Sequence, residues 1–359
     1  MNIAYLLLSD GTLFEGFVMG AIGKVFGEVV FNTGMGGYTE CLTDPSCFGQ
    51  IVVQTFPFVG NYGVKQSDMM SEKIWANGFV SREICETPSN TTSEQNFHDL
   101  MIKQNLVGIQ GIDTRRLTSI LRENGTQNGV ITNDISNIDA LVAELKTFKT
   151  INALEIISVK NIVEYKNLNA KYNVALIDLG YKQSIINRLT ERGCSVDVFP
   201  YKTKIDDIIN INYDGVVLYG GVGTPDEYVD LVENIKILIE KNIPVFGINA
   251  GHLFVSAAVG GTVYPLKHGH HGENHPVKNL KKDKVFITNQ GHEYAVEYQS
   301  ISPKSAEITH ISMNDKSVEG IKLIQKPVFS VQFNPEAQPG PMDSFYLFDE
   351  FVDMMKGNK

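Results

Sequence analysis

Apolar residues follow two different rhythms along the chain. In the first part the apolar runs are short and separated by turn residues. Ala4 to Leu8 and Thr12 to Val18 flank a Ser9-Asp10-Gly11 turn, and because Asp-Gly accepts positive φ this predicts a β-hairpin. Glu28 to Asn32 and Gln50 to Phe56 read as further strands. Asp113 is placed to cap a helix whose Leu117, Ile120 and Leu121 share one face and which stops at Asn124-Gly125. The N-terminal part is therefore expected to be β-rich.

The second part alternates buried strands with helices. "YNVALIDLG" (172–180) is a continuous apolar strand, followed by a helix from Lys182 to Arg192, a Gly193 stop and a strand from Ser195 to Phe199. "YDGVVLYGG" (213–221), an amphipathic stretch from Asp226 to Lys241 and "IPVFG" (243–247) repeat the pattern. Such alternation predicts a parallel sheet with crossover helices, a doubly wound α/β domain. The polar segment Lys160 to Ala170 reads as the linker, which puts the domains at 1–168 and 169–359.

Composition narrows the class. A chain of 359 residues has room for about two domains. With 43% hydrophobic and 20% charged residues and no low-complexity tract, a disordered or fibrous protein is excluded. The net charge of -10 provides no general field for phosphate backbones, and the Lys278, Lys281, Lys282, Lys284 run is broken by Asp283 and reads as a solvated turn. No nucleic-acid partner is expected. Cys41, Cys47, Cys85 and Cys194 show no C-x-x-C spacing, which suits a reducing compartment, and the cytoplasm is the expected location. The apolar run Ile3 to Leu8 is too short for a signal segment or a membrane span, so no membrane partner is expected.

Candidate chemistry concentrates at "FGINAGHLF" (246–254), where a strand runs through a G-x-N-x-G turn into a helix. Strand-turn-helix elbows of this kind present a nucleophile, ordinarily Ser or Cys; here the central residue is Asn249. Ligands of open parallel sheets bind beyond the carboxyl ends of the strands. The elbow and the Gly220-Gly221-Val222-Gly223 loop both fall at such ends and are expected to be neighbours.

Further segments carry a family resemblance. "GEVVFNTGMGGYTECLTDPS", "QIVVQTFPFVGNYG", "GIDTRRLTSILRENG", "GHHGENHPV", "ITNQGHEYAVE" and "SVQFNPEAQPGPMDSFYLFDEF" together resemble the small, amidotransferase chain of carbamoyl-phosphate synthetase over nearly the whole length. The resemblance implies a β-rich small-chain domain followed by a class I glutamine amidotransferase domain. It also implies a large synthetase chain as partner, with ATP and Mg on that chain and no cofactor on this one. Family members release ammonia from glutamine with a Cys-His-Glu unit: a thiolate attacks the amide, an imidazole moves protons, a carboxylate orients it and backbone amides hold the oxyanion.

Carried across residue by residue, the resemblance puts the nucleophile at Asn249 and the base at Asn334 of "NPE", and leaves only the orienting carboxylate, Glu336. An Asn is neither a usable nucleophile nor a proton acceptor near neutral pH, while it tolerates the positive φ an elbow needs. The glutamine contacts fall on Ser46, Gly221, Gly223, Ala250, Leu253, Gly291, Glu293 and Tyr294. Ser46 and both glycines match the family and Tyr294 stands for Phe. Ala250 replaces Leu, Leu253 replaces Gln, Gly291 replaces Asn and Glu293 replaces Gly. Glu293 sets a carboxylate where a ligand carboxylate approaches, so glutamine is expected to bind weakly at most.

These residues predict a small-chain subunit that lacks its own glutaminase and supports a large chain using ammonia. Two other readings stand beside it: an active subunit with Cys47 as a displaced nucleophile, and a stand-alone binding or regulatory module. His268, His270, His271 and His275 lack the Cys or carboxylate company of a zinc site and are expected in a hydrogen-bonded structural loop, with no metal. His252 and His292 are expected to be structural. The Gly220 to Gly223 loop lacks the Lys-Ser/Thr ending of a phosphate loop and reads as a source of oxyanion-hole amides.

Overall fold

A computed structural model describes residues 2–357. The chain forms two compact units, one running to Ala153 and including Lys267–Gly272, the other comprising Leu154–Leu266 and the chain from Glu273 onward.

The first unit contains β1 (Ile3–Leu8), β2 (Leu13–Gly20), β3 (Val25–Asn32), α1 (Tyr38–Leu42), β4 (Gln50–Gln54), β5 (Phe58–Val59), β6 (Gly78–Ser81), β7 (Glu83–Ile84), α2 (Phe97–Lys103), β8 (Val107–Gln110), α3 (Thr114–Asn124), β9 (Gln127–Thr132) and α4 (Ile138–Thr147). Seven strands close into a barrel in the order β1-β2-β8-β6-β4-β3-β9. The predicted hairpin is β1 and β2, paired antiparallel with Leu7 opposite Leu13, and Asp10 accepts the Thr12 N–H at 2.8 Å across the turn. Closure buries β1 on both faces. Leu6 and Leu8 join a core with Val53, Ile109 and Ile131 that Leu117 and Leu121 of α3 complete, while Leu7 packs with Val130 and Leu145. As the sequence predicts, Asp113 caps α3 by accepting the Arg116 N–H at 2.9 Å, and Gly125 ends it at φ 93°.

The elements of the second unit are α5 (Ala153–Ile157), which starts at the division, then β10 (Val163–Tyr165), β11 (Tyr172–Asp178), α6 (Gln183–Thr190), β12 (Cys194–Pro200), α7 (Ile205–Ile211), β13 (Gly215–Gly220), α8 (Val229–Glu240), β14 (Val245–Asn249), α9 (Ala250–Ala258), β15 (Val263–Asn279), β16 (Lys284–Val296), β17 (Ala306–Ser312), β18 (Val318–Leu323), β19 (Val328–Val331) and α10 (Tyr346–Gly357). They build a ten-stranded sheet in the order β10-β12-β11-β13-β14-β19-β18-β16-β15-β17. Its centre, β12-β11-β13-β14-β19, is parallel. Apart from Asn173, every residue of β11 is buried, which is why its sequence is a continuous apolar run. Along α8, Leu231, Val232, Ile235, Leu238 and Ile239 are buried, the one-sided stripe of a helix laid on a sheet.

Two expectations are corrected here. The 160–170 segment, read as a linker, contributes β10, antiparallel to β12 with Val163 opposite Val198. An edge strand keeps one face and one margin wet, so polar residues such as Glu164 belong in it and hide it from a hydropathy reading. The division between units accordingly comes at Ala153, and 168 lies within the second unit. The histidines expected in a loop, His268, His270, His271 and His275, lie on strand β15. Among the described residues no helix is long and apolar enough to cross a membrane.

Candidate active site

The elbow forms where β14 passes directly into α9. Asn249 ends the strand and caps the helix at φ 57°, ψ -115°. The sign of φ is the expected one, but this ψ lies outside the left-handed helical basin that Asn favours, so intrinsic preference does not account for the conformation. The flanking glycines have a steric reason. A Cβ on Gly251 would stand 2.2 Å from the Leu218 carbonyl oxygen, so only glycine lets α9 leave the sheet this close to β13. Asn249 is in register with Gly220 at the end of β13, which brings the Gly220 to Gly223 loop beside the elbow as expected. Gly220 itself has φ 150°, and a Cβ there would sit 1.9 Å from the Leu179 oxygen.

Side-chain hydrogen bonds hold Asn249 in place. Its Nδ2 donates to the Gly291 carbonyl at 3.1 Å and to Asn334 Oδ1 at 3.2 Å. Its Oδ1 accepts from Gln332 Nε2 at 3.4 Å. Asn334 is fixed in turn by its backbone, whose N–H donates to the Asn289 carbonyl at 2.9 Å. Both carboxamides are about 2% exposed. Two residues 85 positions apart in the chain therefore meet, and the elbow side chain uses both of its N–H donors within the protein.

Glu336 is also buried, but its partners are elsewhere. Its Oε1 accepts from the Tyr219 hydroxyl at 2.7 Å and pairs with Lys182 Nζ at 2.6 Å. The side chains of Lys182 and Glu336 are 1% and 0% exposed. Among the described residues Glu336 makes no hydrogen bond to Asn334. In register with Tyr219, Asp178 at the end of β11 accepts the backbone N–H groups of Val159, Gly180 and Tyr181 at 2.7, 2.8 and 2.7 Å. Burial pushes its carboxyl above the ordinary range against the pull of those donors. Sequence reasoning missed Lys182, Tyr219 and Asp178. The available signal was position: all three stand at or just past the carboxyl ends of parallel strands.

The remaining expected residues distribute as follows. Gly221 and Gly223 lie in the loop after β13, and Ala250 and Leu253 are buried in the first turns of α9. Gly291 and the half-buried Glu293 and Tyr294 are on β16. Ser46 belongs to the first unit, half-buried in the single turn Pro45–Cys47, with its N–H held by Asp44 at 2.9 Å. Cys47 is buried with its Sγ 3.9 Å from that of Cys41, and none of the four cysteines is in a disulfide. His252 is fully buried and its Nδ1 meets Ser330 Oγ at 2.9 Å; desolvation lowers its pKa to about 3 and keeps it neutral. The ring nitrogens of His292 meet the Tyr294 carbonyl and Gln290 Oε1, both at 2.8 Å.

A parallel sheet with crossover helices and a nucleophile-type elbow at the end of its fourth parallel strand defines a class I glutamine amidotransferase fold, and residues 175–354 match the family model "Glutamine amidotransferase class-I". Residues 6–131 match "Carbamoyl-phosphate synthase small chain, CPSase domain". The chain is 45% identical over 349 residues to the carbamoyl phosphate synthase small chain of Clostridium perfringens, covering 97% of this chain and 98% of that protein. It is likewise 45% identical over 354 residues to the Fusobacterium nucleatum small chain, covering 98% of each. The chain belongs to the carbamoyl-phosphate synthase small chain family.

Proposed function

We propose that this chain is a carbamoyl phosphate synthase subunit that has lost glutamine hydrolysis and supports a large synthetase chain supplied with free ammonia. The observation that carries the reading is the 3.2 Å bond between the carboxamides of Asn249 and Asn334. On the family pattern these are the nucleophile and base positions, and a carboxamide neither attacks an amide carbon nor cycles a proton near neutral pH. Losing either member of such a unit lowers the rate by about 10^6. Glu336, the third member on that pattern, is engaged by Lys182 and Tyr219.

The pocket residues support the same reading. Leu253 offers no polar atom to a substrate amide, Gly291 offers no side chain, and Glu293 opposes a ligand carboxylate. ATP and magnesium act on the large chain, and this chain carries no cofactor. Cys47 does not favour an active alternative, since it is buried against Cys41 and sits at no strand-turn-helix elbow.

The test is a paired assay with the large chain present, using ammonia and glutamine in turn as nitrogen donor. Ammonia is expected to sustain carbamoyl phosphate synthesis and glutamine to give no glutamate above background. Glutamate release by the wild-type chain at the turnover of a competent relative would end the proposal.

A further inference from the structure

Two of the four cysteines are neighbours in space. Cys41 lies on α1 and Cys47 ends the single turn Pro45–Cys47, and their sulfurs are 3.9 Å apart across six positions of chain. An S–S bond is about 2.05 Å long, so the gap to close is only about 2 Å. Rotation of a Cys side chain between staggered positions moves its sulfur on that scale.

The two sulfurs are not equivalent. Cys47 is 7% exposed and packs in a core with Tyr38, Leu42 and Val52, whereas Cys41 is half-buried. Asn32 Nδ2 donates to the Cys41 sulfur at 3.4 Å. The other end of that amide fixes its orientation, since Asn32 Oδ1 accepts the Gly34 N–H at 2.7 Å. Cys41 is therefore the thiol an oxidant reaches, and Cys47 is placed to answer it. The other two cysteines make a contrast. The Cys85 thiol donates to the Thr87 carbonyl at 3.2 Å, and burial pushes the Cys194 thiol up to about 12, the environment of an inert cysteine.

We propose that Cys41 and Cys47 form a redox-sensitive modification site whose oxidant is hydrogen peroxide. The Cys41 thiolate attacks one peroxide oxygen, the O–O bond breaks, and the departing hydroxide takes up the proton Cys41 gave up, leaving water and a sulfenic acid. The Cys47 sulfur then attacks the Cys41 sulfur, the S–O bond breaks, and hydroxide leaves as water with the Cys47 proton. Two thiols lose two electrons to one peroxide, and a disulfide and two waters result.

The bridge acts on the turn more than on α1. The end of α1 is pinned from outside: the Leu42 carbonyl accepts the Trp75 N–H at 2.8 Å, and the Thr43 hydroxyl accepts the Met70 N–H at 2.9 Å. The turn is held by local bonds, Asp44 to the Ser46 N–H at 2.9 Å and the Cys47 N–H to the Asp44 carbonyl at 3.0 Å. Closing the disulfide draws the turn toward α1 and carries Ser46 with it. This inference does not depend on whether the chain hydrolyses glutamine.

The test treats the reduced full-length chain with hydrogen peroxide, blocks the remaining thiols by alkylation and digests it with trypsin. Both cysteines fall in one tryptic peptide, Val25 to Lys65, and cleavage before Asp44, which lies between them, separates the two halves. The thiol count is expected to fall from four by two. The peptide should be lighter by two hydrogens, and its halves should stay joined until a dithiol is added. In Cys47→Ser the sulfenic acid on Cys41 should persist and be trapped by dimedone. In a glutathione buffer the native chain should be bridged at a lower share of glutathione disulfide than the chain in urea, because folding has already paired the sulfurs. Hydrogen exchange across residues 43–48 should change on oxidation.

Four surviving thiols, or oxidation of Cys41 beyond the sulfenic acid with no bridged peptide, would overturn the proposal. Disulfides only between copies of the chain, or the same two thiols lost in Cys41→Ser, would do so too. Equal bridging in native and urea-unfolded chains would show that the fold does not prepare the pair, and a bridge with unchanged exchange at 43–48 would show that it switches nothing.

Discussion

Lys182 and Glu336 form an ion pair at 2.6 Å with both side chains out of reach of solvent. The pair joins the start of α6 to the loop after β19, and Tyr219 on β13 adds a hydrogen bond to the same carboxylate oxygen. A buried pair of this kind adds little net stability over an apolar substitute, but breaking it leaves a buried charge without its counter-charge. Lys182→Met is therefore expected to destabilise the chain by about 3–5 kcal/mol. Adding Glu336→Gln, which still accepts from Tyr219, should recover most of the loss. Urea unfolding followed by circular dichroism reads both. Equal destabilisation in the single and double variants would show that the charge pair is not what holds these elements.

The pocket, not the catalytic groups alone, limits what restoring the chemistry can achieve. Asn249→Cys with Asn334→His returns a thiol and an imidazole to positions that already meet. Glu336 commits Oε1 to Lys182 and Tyr219 and, among the described residues, keeps a buried Oε2 without a hydrogen-bond partner, so a carboxylate oxygen is left to orient the new imidazole. Leu253, Gly291 and Glu293 add a binding defect. The double variant is expected to release glutamate detectably above wild type and far below an active relative. Full activity from these two changes alone would refute the account of the pocket.

What the sequence could reveal was decided by locality. The elbow was legible because Gly247 is set by a contact four residues away, a Cβ there standing 2.7 Å from the Gly251 carbonyl oxygen, and β11 because burial on both faces leaves an unbroken apolar run. Lys182 was not legible, since a lysine ordinarily reads as exposed and its partner lies 154 positions later in the chain. The strand β10 escaped for a different reason: an edge position permits the polar composition of a linker. At Asn249 the residue type correctly indicated positive φ, yet the ψ of -115° is held by three tertiary hydrogen bonds that no local preference encodes.

Gly251→Ala tests the elbow's packing independently of its chemistry. The added methyl would meet the Leu218 carbonyl oxygen at 2.2 Å, a backbone atom inside a parallel sheet that cannot rotate away. The expected cost is at the top of the 1–3 kcal/mol range, about 3 kcal/mol, for overpacking a core, and partial detachment of α9 should raise hydrogen exchange in residues 250–258. A substitution tolerated within about 0.5 kcal/mol would mean that β13 and α9 are less tightly seated than this contact requires.

Two buried histidines set the response to acid. Desolvation lowers His252 to about 3 and His310 to about 4 from an ordinary 6.5, and His310 also feels Lys282. In the unfolded chain both take up a proton near pH 6.5, whereas the folded chain refuses it until pH 4 and 3. The unfolded state therefore binds more protons throughout that window, and stability falls as the pH drops below about 6.5. By about pH 5 each histidine should have cost about 2 kcal/mol relative to neutral pH. Asp178, whose carboxyl burial raises, acts in the opposite sense, but only as the pH enters the carboxylate range. His252→Asn, which retains a polar partner for Ser330, should lose about half of this acid sensitivity while keeping the rest. Urea midpoints at about pH 7.5 and about pH 5 give the comparison, and parallel losses in variant and wild type would show that His252 does not contribute to the transition.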